Sequence, residues 1–402
     1  VTTSCPVWFY QVEDLPGLEF DAFLARMLRE EPVARIRMPH GQGEAWLVTR
    51  YEDVKFVTSD PRFSRAALPG RPIPKMTAHN IPLDRAVSFA DPPEHARVRT
   101  VVASAFSQPA VDRLRPTAER VVGELVDAMV AEGSPGRLVE QVTSPFPVTM
   151  IGTMMGVPEA DWPQMIEWAG TLLSVAPDKA AAERTSRVKE EVGAYFRDMA
   201  ARRLAEPRDD LMSVLAAAVD AGRLSEEELL ALAVLLQFNG WHAVRNNSSM
   251  MMYTLLTHPP LWERLVADPD LAPRAVEELL RYIPHKSGLG QPRITTEDVE
   301  VGGVLIRKDE VVYVSYLTAN RDEDVFGDPD RIDFDRQHIP HLAFGHGPHY
   351  CMAPMLAKME SDVLLRTLAE RLPRLRLAVP FDQVPWPKGM LIRGPVELPV
   401  TW

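Results

Sequence analysis

The chain has 402 residues, 46% of them hydrophobic, and a formal net charge of −12. That is ample apolar material for a large core, as one domain or two, and the acidic balance excludes a nucleic-acid role, which needs basic surface. Its two cysteines, Cys5 and Cys351, lie far apart, no run of about eighteen apolar residues exists, and no secretory signal or anchor is read at the N-terminus, so no disulfide, no membrane span and a reducing, cytoplasmic setting are expected.

Residues 20–31 alternate apolar and charged positions with helical period. Residues 33–50 read as a hairpin, Val33 to Arg37 and Ala45 to Val48, turning through Gly41 and Gly43; Tyr51 to Thr58 reads as a short helix. Residues 62–88 lack periodicity and carry Arg65, Arg71, Lys75, His79 and Arg85. Such a stretch is either a solvated surface loop or a functional segment. Asp91 can cap a helix starting at Pro92 and Pro93. On that helix His95 and Arg99 share one face, which by itself suggests an exposed polar pair. Helical patterns follow at about 109–132, 145–155, 160–176 and 180–205.

Ser225 to Glu228 form a capping box ahead of a long apolar run reaching about Thr257. Roughly thirty residues make about 45 Å of helix, enough to cross a domain. Its middle, Asn239-Gly240-Trp241-His242-Ala243-Val244-Arg245-Asn246-Asn247, is polar for a buried helix. Either it is partly exposed there, or it faces a ligand. A helix at about 272–282 carries Glu278 and Arg281 as an i,i+3 pair. Short strands are expected near 298–306 and 311–315, and a β-rich segment from Pro385 to Leu398.

Phe344-Gly345-His346-Gly347-Pro348-His349-Tyr350-Cys351 leads into a helix-like run from Met355. Glycines permit tight folding and close approach to a flat ligand. A cysteine ahead of a helix can be held as thiolate and can bind haem iron. Two other readings stay open at this point: a turn with a buried thiol, and a metal tract including His338, His341, His346 and His349, although that spacing matches no zinc pattern.

The loop resembles the haem-binding signature of the cytochrome P-450 family, Phe-Gly-x-Gly-x-His-x-Cys, through Phe344, Gly345, Gly347, His349 and Cys351; the family's glycine two residues later is Ala353 here. The resemblance runs from about residue 20 to the C-terminus and takes in Ala319 to Asp322. It implies a single domain, 1–402, mainly α with a small β region, with haem b between the long helix and the cysteine loop. Cys351 would be the iron ligand. His95, Arg99, Arg293 and His349 would contact the propionates, and Glu278 and Arg281 would form a buried salt bridge with Arg331 as third member. The same resemblance implies oxygen activation and hydrogen abstraction in bacterial natural-product biosynthesis. Electrons would come from a ferredoxin and its reductase, and the protein would be a monomer. Oxidative cross-linking of aromatic side chains without oxygen insertion is an alternative outcome; a haem-based sensor is a non-enzymatic one.

One departure from the family concerns protons. The usual acid and threonine of the long helix are His242 and Ala243 here, after Asn239 and Gly240. Gly240 is expected to let the helix lie close to the haem, while oxygen activation would use His242, ordered water or the substrate's own polar groups. Phe238, His242 and Asn246 fall at i, i+4 and i+8 and are expected to face the substrate. Trp241, Arg71, Lys75, His79, His285 and Lys286 are expected to join them, which favours a polar or peptide-like substrate with an aromatic group.

Overall fold

The computed structural model describes residues 6–77, 86–172, 179–286 and 288–402. Its helices are α1 (Ala22–Glu30), α2 (Tyr51–Ser59), α3 (Glu94–Val102), α4 (Gln108–Glu132), α5 (Pro145–Met155), α6 (Trp162–Leu172), α7 (Lys179–Ala205), α8 (Leu211–Asp220), α9 (Glu226–Thr257), α10 (Pro259–Ala267), α11 (Ala272–Tyr282), α12 (Tyr316–Ala319), α13 (Glu323–Phe326) and α14 (Pro354–Arg371). The strands are short: β1 (Val7–Phe9), β2 (Val33–Arg37), β3 (Ala45–Val48), β4 (Phe63–Ser64), β5 (Gly136–Arg137), β6 (Arg293–Thr295), β7 (Val299–Val301), β8 (Val304–Ile306), β9 (Val311–Val314), β10 (Arg376–Leu377) and β11 (Pro399–Thr401). The chain is thus mainly helical with a small β region, as expected.

The expected hairpin is β2–β3, antiparallel with Val33 opposite Val48 and Ile36 opposite Ala45. It sits inside a mixed sheet of order β1-β2-β3-β9-β6-β4. In that sheet β4 runs antiparallel to β6, with Phe63 opposite Thr295 and Ser64 opposite Ile294. This register matters for the site, because continuing it by one residue sets Arg65 across from Arg293.

The capping box of α9 forms as expected: Ser225 Oγ accepts from the Glu228 amide, and the Glu228 carboxylate accepts from the Ser225 amide. The helix has 32 residues, about 48 Å at 1.5 Å per residue. It is buried nearly all round, from Leu229 and Leu232 to Met250 and Leu255. Val122 and Met129 of α4, Phe146 and Ile151 of α5, Leu279 of α11 and Leu364 of α14 share its core. A helix so enclosed has no solvent face to relieve a polar residue, so each one must find a partner or line a cavity. Among the described residues no helix is long and apolar enough to cross a membrane.

Two local expectations are corrected. Asp91 does not cap α3; its carboxylate accepts from Ser64 Oγ and the Arg65 amide, tying the start of α3 to β4. The segment Pro385–Leu398 is largely irregular; the terminal strand is β11, between β10 and β5. Helix α8, capped by Asp210 accepting from the Ser213 amide, was not anticipated.

Candidate active site

The cysteine loop is closed by the Cys351 amide donating to the Phe344 carbonyl at 2.9 Å. Gly345 and Gly347 adopt φ of 78° and 70°, where a side chain is strained. A Cβ at Gly347 would lie 2.2 Å from the Thr58 carbonyl oxygen. That glycine therefore admits the end of α2 rather than a flat ligand. Arg99 binds the loop from α3, donating to the carbonyls of Pro348, Tyr350 and Cys351. The histidines nearby are used otherwise than as a metal tract: His341 Nε2 lies 3.0 Å from Glu277, which also pairs with Lys358, and His346 Nδ1 lies 3.2 Å from Thr58 Oγ1.

Cys351 borders a cavity of about 390 Å³ between α9 and the loop. Burial pushes its thiol above the ordinary range, against the pull of the Ala353 amide, Arg99 and Lys286. The Ala353 amide pulls toward the thiolate, as expected of amides ahead of a helix, but in the protein alone burial outweighs it. A bound metal cation would reverse that balance, because coordination deprotonates a thiol outright.

A cationic cluster lies beside Cys351. The His95 and His349 rings stand 4.4 Å apart. His349 is pushed down to about 2 by burial and then by Arg65, His95 and Arg293, so it is neutral here. Arg293 is 1% exposed; its Nη1 donates to the Gln291 carbonyl, and its Nη2 has no partner. Arg65, opposite it in register, is buried with Nε unpartnered and is pushed down to about 9 by burial and by Arg293. Two buried guanidiniums with orphaned donors require anions. No aspartate or glutamate lines the cavity among the described residues. Arg65, His95, Arg99 and His349 line the cavity, whereas Arg293 does not; haem b, with one iron for a thiolate and two carboxylates for the donors at the cavity wall, fits this set. Arg65 was read from sequence only as part of a basic loop; the signal that reveals it is the β4–β6 register, which is not visible before the fold.

On α9 the cavity is lined by Leu235, Leu236, Asn239, Gly240, Ala243, Val244 and Asn247. Asn239, Gly240 and Ala243 are therefore where the sequence placed them. Phe238, Trp241, His242 and Asn246 are not; all are buried, but none lines the cavity. Trp241 Nε1 donates to the Ser144 carbonyl, and Asn246 is packed under Gly394, where a Cβ would meet Asn246 Oδ1 at 2.3 Å. The expected stripe had the right i,i+4 spacing but lay about 100° round the helix from the lining one. His242 is pushed down to about 4 by burial and by Arg245. Gly240 is explained by α5 as much as by a ligand: a Cβ there would lie 2.7 Å from Ile151 Cγ1. Asn247, missed by the sequence reading, has its Oδ1 buried and unpartnered.

Of the remaining candidates, His285 and Lys286 line the cavity. His285 is pushed down to about 4, chiefly by burial. Arg71 does not join them; it forms an exposed ion pair with Asp309 at 2.8 Å. Lys75 lies in a backbone bridge with His40 and does not line the cavity. His79 and Arg85 lie outside the described residues. Glu278 and Arg281 pair at 2.7 Å with both side chains fully buried. The third member is Arg336, at 3.4 Å from Glu278 Oε2, not Arg331. Arg331 contributes its backbone carbonyl to Arg281, while its own guanidinium is out in solvent with Asp333.

The Cytochrome P450 family model matches residues 133–389. Over 99% of this chain and 97% of the relative, the sequence is 46% identical to biflaviolin synthase CYP158A1 of Streptomyces coelicolor. It is 43% identical to nocardicin C N-oxygenase of Nocardia uniformis, over 98% of both chains. The crystal structure of cytochrome P450mel 107F1, described as having biaryl coupling reactivity, superposes with a TM-score of 0.94 at 44% identity, covering 99% of this chain and 100% of that one. With the cavity, its cysteine and its unmatched cations already pointing to a haem site, the chain belongs to the cytochrome P450 family, whose members are oxidoreductases that bind haem b through a cysteine thiolate.

Proposed function

We propose that the chain, acting as one domain, is a tailoring oxidase of natural-product biosynthesis that acts on a polar aromatic, peptide-like molecule. Cys351 is the iron ligand in this reading, and Arg65, Arg293, His95 and His349 hold the propionates, with Arg99 bracing the loop that presents the cysteine. Bound there, haem supplies oxygen activation and hydrogen abstraction. Electrons come from a ferredoxin and its reductase. The chain's own residues bind and orient the substrate and keep polar groups where protons are needed.

The observation carrying the substrate class is the mixed lining of the cavity. Leu235, Leu236, Phe106, Ile151 and Val244 suit an aromatic body, while Asn239, Asn247, His285 and Lys286 present polar groups that an apolar terpene or fatty chain would leave unpaired. The polar residues first expected there, His242 and Asn246, do not contribute, but the lining is polar without them.

Oxidative coupling is favoured as a second outcome by one residue. Ala243 occupies the position where the family carries an alcohol, and it lines the cavity. Coupling joins two substrate positions by removing two hydrogens, so it inserts no oxygen into product. Mass spectrometry of products with ferredoxin, reductase and NAD(P)H separates the outcomes: gain of one oxygen indicates hydroxylation, and loss of two hydrogens indicates coupling. A haem sensor would bind ligand and consume nothing.

A further inference from the structure

We propose that the Tyr316 hydroxyl donates a hydrogen bond to one of the two haem carboxylates, the one that Arg65 also binds. This rests on the reading of the propionate donors given above, and it adds a residue that lies in none of the sequence patterns behind that reading.

Tyr316 follows β9 and opens α12, whose cap is Ser315, accepting from the Thr318 amide. Two glycines flank its side chain. A Cβ at Gly290 would lie 3.0 Å from Tyr316 Cε2, and one at Gly345 would lie 3.7 Å from the Tyr316 hydroxyl oxygen. The ring therefore passes between the loop ahead of β6 and the cysteine loop, with its hydroxyl beside Gly345. The same Cβ position at Gly345 is 3.6 Å from the His349 carbonyl oxygen. The hydroxyl is thus held at the loop that carries Cys351, next to a residue already assigned to the propionates. The wall left for substrate, α9, is on the other side of the cavity.

That hydroxyl is free. Tyr313 of β9 donates to the Pro74 carbonyl at 2.7 Å, and Tyr51 of α2 donates to the Pro340 carbonyl at 2.6 Å. Tyr316 lines the cavity instead, and its hydroxyl makes no hydrogen bond among the described residues. Arg65 points to what the hydroxyl meets. It lines the same cavity, lies near enough for Tyr316 to act on its charge, and has Nε without a partner. Its Nη1 reaches the Ser88 carbonyl only at 3.4 Å. Arg99 is no substitute, being committed to the carbonyls of Pro348, Tyr350 and Cys351. A guanidinium and a phenol side by side call for a group that is anionic and accepts twice. A carboxylate meets both conditions with its two oxygens, and haem b is the ligand that brings one to this wall.

The test uses the haem-loaded protein as wild type, Tyr316→Phe, Arg65→Ala and the double variant. Haem release into excess apomyoglobin is timed, the propionate bending band is read by resonance Raman, and the Soret band of the reduced carbon monoxide complex reports on the cysteine loop. Tyr316→Phe is expected to release haem about tenfold faster, the size of one charge-assisted hydrogen bond. It should also shift the propionate band while keeping the thiolate Soret band. Arg65→Ala should do the same, and in the double variant the two effects on the release rate should not multiply, because both donors serve one carboxylate. An unchanged rate and band in Tyr316→Phe, with both altered in Arg65→Ala, overturns the proposal and leaves the propionate reading standing. Faster release with the band unmoved also overturns it, since the hydroxyl would then act only through the fold. Effects that simply multiply would put the two donors on different carboxylates and overturn the pairing. If neither variant alters the rate or the band, the propionate reading falls with the proposal.

Discussion

Asn246 donates its side-chain amide to the main-chain carbonyl of His242 at 2.8 Å, one turn back along α9. Both side chains are buried in the protein and neither borders the cavity that Ala243 lines. His242 thus stands where the family has an acid, but as a neutral imidazole set into the core.

That setting has a pH signature. The folded value of His242 is about 4, below the ordinary 6.5, because burial and Arg245 disfavour its charged form. The unfolded chain therefore binds a proton between about pH 6.5 and 4 that the folded chain refuses, so stability falls as pH falls through that window. Between pH 7.5 and 5 the loss attributable to this group is about 2 kcal/mol. Urea midpoints at the two pH values should differ less in His242→Gln than in wild type. An identical pH dependence would show that His242 is not held neutral.

The buried ion pair makes a sharper contrast between two arginines. Arg336 reaches Glu278 and also donates to the carbonyls of Phe326 and Asp328. Arg336→Ala should destabilise the fold by about 1–3 kcal/mol. Arg331→Ala leaves the carbonyl that Arg281 uses in place and removes only an exposed pair, so it should stay within about 0.5 kcal/mol. Thermal unfolding of both variants decides it, and a reversed order would return Arg331 to the buried network.

Haem retention should depend on the cations that the fold pairs. Arg65→Ala combined with Arg293→Ala removes both orphaned guanidiniums, and the haem content of the purified protein should drop several-fold. Arg71→Ala, which breaks only a surface pair, should leave it unchanged. Full haem content in the double variant would mean that the propionates lie elsewhere.

The iron assignment has its own measurement. The reduced carbon monoxide complex of wild type should show the red-shifted Soret band of a thiolate ligand, and Cys351→Ala should lack it. Cys351 is the one cysteine among the described residues, so persistence of the band would require a ligand outside them.

These residues also show what could be read before the fold was seen. Cys351, His95 with Arg99, and Glu278 with Arg281 lie in short local patterns, so their spacing carries the information. Arg65 meets Arg293 only through the antiparallel register of β4 and β6, a contact across some 230 positions of sequence. Arg331 and Arg336 sit five apart in irregular chain, where no period ranks one above the other. The stripe chosen on α9 failed for another reason. That helix is apolar and buried nearly all round, so hydrophobic periodicity does not say which face meets the cavity.

The correct face sharpens the question of protons. Asn239, Ala243 and Asn247 stack one turn apart and all line the cavity. Asn247 Oδ1 is buried without a partner and is a ready acceptor for a water. Substituting threonine for Ala243 should not help. Several hydroxyls in this fold's helices turn back onto the preceding turn: Thr254 donates to the Met250 carbonyl, Ser249 to that of Arg245 and Thr58 to that of Val54, each at 2.7 Å. The hydroxyl introduced by Ala243→Thr would do the same toward the Asn239 carbonyl and add bulk to the cavity. Ala243→Thr is therefore expected to give no gain in product formed per NAD(P)H consumed. Asn247→Leu, which keeps the branching at Cγ but removes the water's acceptor, should lower that ratio roughly tenfold and release more hydrogen peroxide. Stoichiometry of NAD(P)H, oxygen, peroxide and product in the two variants is the measurement. Improved coupling in Ala243→Thr, or unaltered coupling in Asn247→Leu, would remove Asn247 from the proton path and leave the substrate's own groups to supply it.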